Sequence, residues 1–294
     1  MEVLKLLCVD LKEKVLEFIY FDLKRDLDAY RKWNELIPWC KYKLQLNHVN
    51  FYLHRPKDGD ESNSNQTPLC NEGFDFFETL KISKTLAELN LSYAGLGTKG
   101  LCSNLANALK SNSSIKIIDL QHNRIGSFVV DMECLAEALK VNNSLRAINL
   151  EFNEIGSHLE SAVYIKDMLK VNRCLTELNL DGNMISSDSM KEIALGLRDN
   201  SCLQKLRLWH NNIRSDGAEY LKKALRHNRS LKLLDLKSNN IDFRGTSSLC
   251  SVLKVNTACS LSIDIRGNPI GLSGRQNLYE NIDYFTARRC ILFS

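Results

Sequence analysis

Features that define several common protein classes are missing from this 294-residue sequence. It contains no apolar run of about 18 residues, so we expect no membrane-spanning helix. Its first ten residues, MEVLKLLCVD, include Lys5 and Asp10, where a secretory signal needs an unbroken apolar segment. The patterns G-x-x-x-x-G-K-[ST], H-E-x-x-H and G-x-S-x-G are also absent. The sequence therefore favours a non-enzymatic protein without a cofactor, a metal or a membrane partner.

Cysteine is plentiful, but its spacing excludes a local metal motif. None of the ten cysteines forms a C-x-x-C pair, so a zinc site has no local support. Cys102, Cys134 and Cys250 stand among leucines, where cysteine acts as a small buried apolar residue. We therefore predict free structural thiols in a reducing compartment, which means the cytoplasm or the nucleus. The net charge of +4 is too small to predict a nucleic-acid partner.

One pattern recurs along the chain. Residues 175–185, LTELNLDGNMI, read L-x-x-L-x-L-x-x-N-x-I. Equivalent stretches begin at Ile115, Leu145, Leu203 and Leu231, and weaker copies begin at residues 86 and 260. The ninth position falls at residues 94, 123, 153, 183, 211, 239 and 268, in steps of 28 to 30 residues. Such a period predicts a solenoid of stacked coils.

The spacing within one coil predicts its local structure. The L-x-L core alternates with period two, which indicates a short strand with inward leucines and outward variable residues. The Asn ends the strand, and a stacked row of these Asn side chains would satisfy the backbone of each turn. Apolar residues at spacings of three and four then predict a helix in each coil, as in 101–110, 132–140 and 218–226. The stretches between Ile125 and Val141 and between Ile155 and Val171 are longer, which predicts longer helical segments there.

These repeats resemble the ribonuclease-inhibitor type of leucine-rich repeat. The phrase LAEALKVNNSL at residues 135–145 carries the resemblance, which extends over residues 74–271. It implies an α/β solenoid with the shape of a horseshoe, with parallel strands on the concave face and helices on the convex face. The type includes ribonuclease inhibitors, arms of intracellular immune sensors, actin pointed-end cappers and the Ran GTPase activator.

The first 40 residues have a different pattern. Apolar residues at helical spacing, without Gly or Pro before Pro38, predict a helical cap over the end of the solenoid core. Part of this segment resembles an F-box, because it has Asp26-Leu27 and a later Trp33-Asn34-Glu35-Leu36. That resemblance implies docking on a Skp-type adaptor of a cullin ubiquitin ligase. Its candidate adaptor-facing residues are Leu16, Phe18, Ile19 and Leu23.

The remaining segments complete the predicted organisation. Residues 41–73 are predicted to hold a degenerate first coil, with Leu44 and Leu46 at offsets four and six, and a flexible polar insertion at 55–72. A helix over 74–81 should lead into the clear array. Residues 272–294 lack the strand pattern and are predicted to form a C-terminal cap.

The outward strand positions are the candidate partner-binding site. At the fifth to eighth positions, large aromatic residues stand where the surface should be wet, and the charge turns from acidic to basic along the seventh position. Exposed aromatics are common anchors of protein interfaces, and a change of sign helps orient a partner. The alternative is that these side chains pack on one another across strands without a partner. The candidates are Tyr93, His122, Glu151, Phe152, Asp181, Arg207, Trp209, His210, Lys237 and Arg266.

Three functional hypotheses follow. The first is a non-catalytic scaffold that binds a protein partner through the concave face. The second is a substrate receptor of a cullin ubiquitin ligase, which uses residues 10–37 to dock the adaptor. The third is a GTPase activator of the Ran type, which would act through an arginine in a strand-to-helix turn such as Arg124.

Overall fold

The protein forms one open sheet with helices along one side. The computed structural model describes residues 48–50, 76–97, 100–256, 261–272, 275–276 and 290–291. In this part of the chain nine parallel strands follow one another in sequence order. The strands are β1 His48–Asn50, β2 Glu88–Asn90, β3 Ile117–Asp119, β4 Ala147–Asn149, β5 Glu177–Asn179, β6 Lys205–Arg207, β7 Leu233–Asp235, β8 Ser262–Asp264 and β9 Cys290–Ile291.

A helix precedes or follows each of the central strands. The described helices are α1 Phe76–Ile82, α2 Cys102–Ser111, α3 Val129–Val141, α4 Leu159–Val171, α5 Ser187–Asp199, α6 Arg214–Leu225 and α7 Phe243–Val255. Each strand pairs in register with the equivalent strand of the next coil, so that Leu178 lies beside Leu206. The α/β solenoid predicted from the repeat is therefore confirmed.

The repeated apolar positions form one continuous core. In the coil that begins at Leu175, the residues Leu175, Leu178, Leu180 and Ile185 are each at most 2 % exposed. The helices bury their own leucines and alanines against the same core. Burial of apolar area is the main stabilising term, at about 25 cal/mol per Å². Because each coil contacts only its neighbours, the core extends along the sheet.

The ninth-position asparagines form the predicted ladder. Asn183 donates from its side-chain amide to the carbonyl oxygens of Leu150 (2.8 Å) and Asp181 (3.0 Å). Its carbonyl oxygen accepts from the backbone N–H groups of Asn153 (2.9 Å) and Ile155 (3.2 Å) in the preceding coil. Asn183 is 0 % exposed, so each of these bonds replaces water for a buried backbone group.

A second asparagine ladder lies at the other end of the strands. Each helix from α2 to α7 is followed by a buried Asn, as with Asn142 after α3. The Asn142 side chain accepts from the N–H groups of Ser144 and Leu145 and donates to the Leu109 carbonyl of the preceding coil (2.7 Å). Sequence spacing alone predicts only that these asparagines separate helix from strand. They also satisfy carbonyl groups at the helix C-termini, which lack partners within their own helix.

The two 30-residue coils differ from the prediction. Helices α3 and α4 have 13 residues, the same number as α5 and α7. The extra residues form 3₁₀ turns at Ile125–Ser127 and Ile155–Ser157, before each helix begins. The predicted lengthening of the helical segments is therefore wrong. Gly126 makes the turn possible, because a Cβ there would lie 2.4 Å from the Cα of Ile155.

The ends of the sheet also differ from expectation. Val49 pairs with Leu89, so it occupies the fourth position of its coil and not the ninth. The predicted register, with Leu44 at the fourth position, is wrong because the short apolar segment fits the repeat in more than one way. In the predicted C-terminal cap, β9 pairs with β8, although the sequence pattern indicated no strand. The cap at 1–40 and the insertion at 55–72 lie outside the described residues.

Four cysteines whose side chains the structure describes, Cys102, Cys134, Cys174 and Cys202, are free thiols. Cys174 and Cys202 stand where other coils have serine, and each sulfur lies 3.2 Å from a carbonyl oxygen of the preceding coil. None of the described helices has the length and apolar character needed to cross a membrane.

Candidate functional site

The candidate site is the sheet face that points away from the helices, which we call the concave face. Its fifth-position residues shape the turn that follows each strand. In six of the seven coils this residue is Asn or Asp, and its side-chain oxygen accepts from the backbone N–H two residues later, as between Asn179 and Asp181 (2.9 Å). This is an Asx turn. The fifth position therefore has a structural role that its run of Asn and Asp could have indicated.

The coil that contains Arg207 is the exception. Arginine cannot accept a hydrogen bond, and Asp181 of the preceding coil takes over the task. The Asp181 carboxylate accepts from the backbone N–H of Trp209 (2.7 Å) and pairs with the Arg207 guanidinium (2.6 Å). Its side chain is 0 % exposed. Asp181 therefore positions Trp209 and Arg207 and is not itself on the surface.

Burial is the main influence on the pKa of two acidic residues here, Asp181 and Asp119. It raises the pKa of Asp181, and the neighbouring Arg207 opposes that shift without cancelling it. It also raises the pKa of Asp119, against hydrogen bonds from the Gln121 N–H and the Asn149 amide. Both carboxylates accept hydrogen bonds from backbone N–H groups in the turns that follow the strands.

The predicted change of charge along the groove is largely neutralised by pairing. Lys237 pairs with Asp235 at 3.1 Å, and Arg266 pairs with Asp264 at 2.6 Å. Arg207 pairs with Asp181, as described above. Glu151, the other acidic candidate at the seventh position, is half-buried and accepts a long hydrogen bond from Asn179 (3.4 Å). Within the described residues the concave face thus carries ion pairs where the sequence indicated a simple gradient.

The aromatic candidates form one contiguous row. The Tyr93 and His122 rings stack at 4.5 Å between centroids, and His122 and Phe152 stack at 4.7 Å. Phe152 meets the edge of Trp209 at 6.3 Å, and Trp209 lies 5.5 Å from His210. The first four rings are half-buried and His210 is exposed. The aromatic row, as we call these five side chains, crosses five coils from Tyr93 to His210.

Backbone conformation places the row. The eighth residue of each coil has a positive φ, for example 55° at His122 and 51° at Phe152. L-residues adopt this left-handed conformation uncommonly, and here the same conformation in successive coils brings their rings into contact. Gly182 occupies the eighth position between Phe152 and His210, and a Cβ there would lie 2.3 Å from the Phe152 ring. The absence of a side chain at this position lets Phe152 reach toward Trp209.

The structure describes the residue named in the GTPase-activator hypothesis, but not those named in the adaptor hypothesis. Arg124 lies in a turn between strand and helix, is largely exposed, and is 3.5 Å from Glu154. Leu16, Phe18, Ile19 and Leu23 lie outside the described residues. The adaptor and GTPase-activator hypotheses therefore stay predictions that depend on sequence resemblance.

Comparison with known proteins agrees with the repeat. The model described as "Leucine Rich repeat" matches residues 111–127, 141–157, 171–194, 199–222 and 227–250. The stacked coils of one strand and one helix agree with these matches, so the matched segments are leucine-rich repeats. No curated protein matches the sequence.

Ninety-eight solved chains are similar to this one, and two of them show how far the similarity extends. One is actin-binding site 2 of leiomodin-1, with 18 % identity over 63 % of this chain and 90 % of that chain, at a TM-score of 0.37. The other is TLR13 in complex with ssRNA13, with 20 % identity over 63 % of this chain and 23 % of that chain, at a TM-score of 0.38.

Proposed function

We propose that this protein is a non-catalytic scaffold that binds a protein partner on its concave face, and that the aromatic row anchors the partner. The observation that carries the proposal is the row itself. Its rings pack on one another, yet they keep part of their surface in water. Packing without a partner would account for the contacts between rings, but not for a continuous aromatic surface across five coils.

Physical properties of the row suit an anchor. Aromatic side chains carry a large apolar area on few rotatable bonds, and they are enriched among the residues that dominate binding energy. Because neighbouring rings already restrain each other, binding would cost little additional side-chain entropy. Exposed apolar residues at the third position of two coils, Ile117 (44 %) and Leu233 (40 %), extend the surface. The ion pairs beside the row would supply polar contacts at its edge.

Affinity capture from a cell lysate tests the proposal. Wild-type protein is compared with Trp209→Ala and Phe152→Ala, and Phe128→Ala is the matched control. Phe128 is 54 % exposed, but it lies at the start of α3, outside the row. We expect both row variants to lose the same partner while the control keeps it. Full retention of every partner by Trp209→Ala, with unchanged circular dichroism, would contradict the role of the row.

A further inference from the structure

Positive charge is concentrated where each helix connects to the next strand. We call the segments at residues 110–116, 140–146, 170–176, 198–204 and 226–232 the basic flank. They contain two, two, two, one and three Lys or Arg residues in chain order. Their only acidic residue is Asp199. Over the whole chain the two signs are nearly balanced, at 39 to 35, so this imbalance belongs to one side of the solenoid.

The opposite side shows the reverse imbalance. The segments that connect each strand to the next helix, at 121–131, 151–161, 181–189, 209–216 and 237–244, contain four basic and eight acidic residues. The helix dipole favours this arrangement, since cations are stabilised near helix C-termini and anions near N-termini. The dipole acts within the last turn, however. Six of the ten basic residues of the flank, such as Arg173 and Lys232, lie beyond the helix ends.

The helix ends do not need these cations as caps. The second asparagine ladder already donates to the terminal carbonyls, for instance from Asn200 to Leu169 (2.8 Å) and from Asn228 to Leu197 (2.7 Å). Within the part of the chain that the structure describes, only two cations of the flank pair with a carboxylate, Lys140 with Glu137 and Arg198 with Asp199. Four others donate only to backbone carbonyls.

The last four cations have no such partner. Among the described residues, no hydrogen bond or ion pair holds the side chains of Lys110, Lys170, Arg226 and Lys232, and all four are exposed. Two exposed valines lie among the cations, Val141 (56 %) and Val171 (53 %), each directly after a lysine. The flank therefore offers free positive charge and apolar contact side by side.

We propose that the basic flank is a second binding surface, and that it takes an acidic protein segment in which apolar residues stand among the carboxylates. Charge complementarity selects the carboxylates. The valines favour a protein segment, because an apolar side chain can cover them and the charged phosphate groups of a nucleic acid cannot. Phe, Tyr and Trp, on which single-stranded bases stack, are absent from the five segments.

The spacing of the coils suits an extended segment. Adjacent strands lie about 4.8 Å apart and adjacent helices about 8 to 10 Å apart. Side chains on one side of an extended chain repeat about every 6.8 Å. A segment that crosses the coils would therefore meet about one cation per coil. This surface is separate from the aromatic row, so either proposal can fail alone.

The test uses the full chain and a labelled synthetic peptide of about 16 residues, enough to cross five coils at about 3.4 Å per residue. The peptide repeats Glu-Glu-Val-Val, so that each side of the extended chain carries both residue types. A matched peptide has Gln at every Glu. Fluorescence anisotropy should detect binding of the acidic peptide only, weakening as salt rises. Lys170→Glu with Arg226→Glu should weaken binding about tenfold or more. The control, Lys191→Glu with Arg214→Glu, changes the net charge equally outside the flank and should stay within about twofold.

Three results would overturn the proposal. The first is no binding of the acidic peptide by the wild-type protein at low salt. The second is an equal loss in both double variants, which would indicate a response to net charge. The third is tighter binding of duplex DNA or of phosphatidylserine vesicles than of the peptide, lost in Lys170→Glu with Arg226→Glu, which would assign the flank to another polyanion. Trp209→Ala should leave peptide binding unchanged, which separates this test from that of the concave face.

Discussion

Two buried aspartates, Asp131 and Asp181, differ in the partners of their carboxylates. Asp181 neutralises Arg207 and holds the N–H of Trp209. Asp131, in the first turn of α3, is 5 % exposed, and none of the described residues donates a hydrogen bond to its carboxylate. A buried carboxylate without a partner favours its neutral form. The two residues therefore have opposite consequences for stability.

Replacing Asp181 should disturb the two concave-face residues that its buried carboxylate contacts, Trp209 and Arg207. In Asp181→Ala, the Trp209 N–H loses its acceptor and Arg207 loses its partner, so we expect the free energy of unfolding to fall by about 2 kcal/mol. The control Glu151→Ala removes a half-buried carboxylate from the same seventh position of the preceding coil and should cost at most about 0.5 kcal/mol. Urea unfolding measures both. An equal, small effect of the two variants would mean that Asp181 is dispensable for the turn.

Asp131 should make stability depend on pH. Burial raises its pKa from 3.8 to about 6 in the folded protein. As the pH rises from about 4 to about 6, the unfolded chain releases this proton first, so the folded state loses stability over that window. At neutral pH we expect Asp131→Asn to be more stable than wild type by about 1 to 2 kcal/mol after solvent screening, with no gain near pH 4.

Urea unfolding at both pH values checks the Asp131 prediction, with the exposed Asp188→Asn as control. The gain should appear only at the higher pH and only in Asp131→Asn. A parallel pH dependence of wild type and Asp131→Asn would show that another group controls stability in this range.

Individual helices differ in how they begin. The N-caps of α5 and α7 are Ser186 and Asp242, and their side chains accept from the N–H groups of Ser189 and Gly245. The N-caps of α3 and α4 are Phe128 and His158, whose side chains accept none. The 3₁₀ turns of the 30-residue coils lead into these two helices. The helices of the two longer coils thus lack the side-chain cap that α5 and α7 have.

Supplying a cap should stabilise a long coil. We expect Phe128→Ser to raise the free energy of unfolding by about 0.5 to 1 kcal/mol, because Ser can accept from the first-turn N–H groups and the exposed Phe128 loses little packing. Ser186→Ala should lower it by about 1 kcal/mol, since it removes an existing cap. Thermal or urea unfolding measures both changes. Loss of stability in Phe128→Ser would reveal a packing role for the Phe128 ring.

Stability of the whole molecule depends on contacts between neighbouring coils. The Asn183 side chain bonds to groups in its own coil and in the coil before it. A defect in the ladder should therefore loosen two adjacent coils, and its effect should decrease with distance along the sheet. The same nearest-neighbour order creates the aromatic row and the basic flank, because equivalent residues of successive coils lie side by side.

Hydrogen exchange should show the local effect of a ladder defect. We expect Asn183→Ala to cost about 3 kcal/mol or more, because several buried backbone groups lose their partner. Amide protection should fall most in residues 145–202 and less toward β2 and β8. The exposed Asn104→Ala in α2, which lies outside the ladder, is the control and should change little. A uniform loss of protection over all coils would mean that the solenoid unfolds as a single unit.

Much of the fold followed from the repeat alone. The spacing of leucine and asparagine located the seven strands from β2 to β8 and the first asparagine ladder, because a regular coil needs the same apolar and polar groups at each turn. The prediction was wrong where the pattern degenerates, at Val49 and at β9, and where extra residues could lie in either a helix or a turn. Local spacing cannot distinguish these cases, since the outcome depends on pairing with a neighbouring coil.

The candidate site could be predicted only in part from the sequence. The aromatic residues could be identified by their outward positions, but the contacts of their rings depend on left-handed backbone at His122 and Phe152 and on the space above Gly182. The acidic appearance of Asp181 was misleading, because its charge is buried beneath Arg207 and Trp209. The sequence by itself determined the coil, its core and its hydrogen-bonding asparagines, all of which repeat at short range. Only the tertiary structure decided that Asp181 is buried and paired with Arg207 and that the aromatic rings touch, because these contacts join side chains of different coils that stacking brings together.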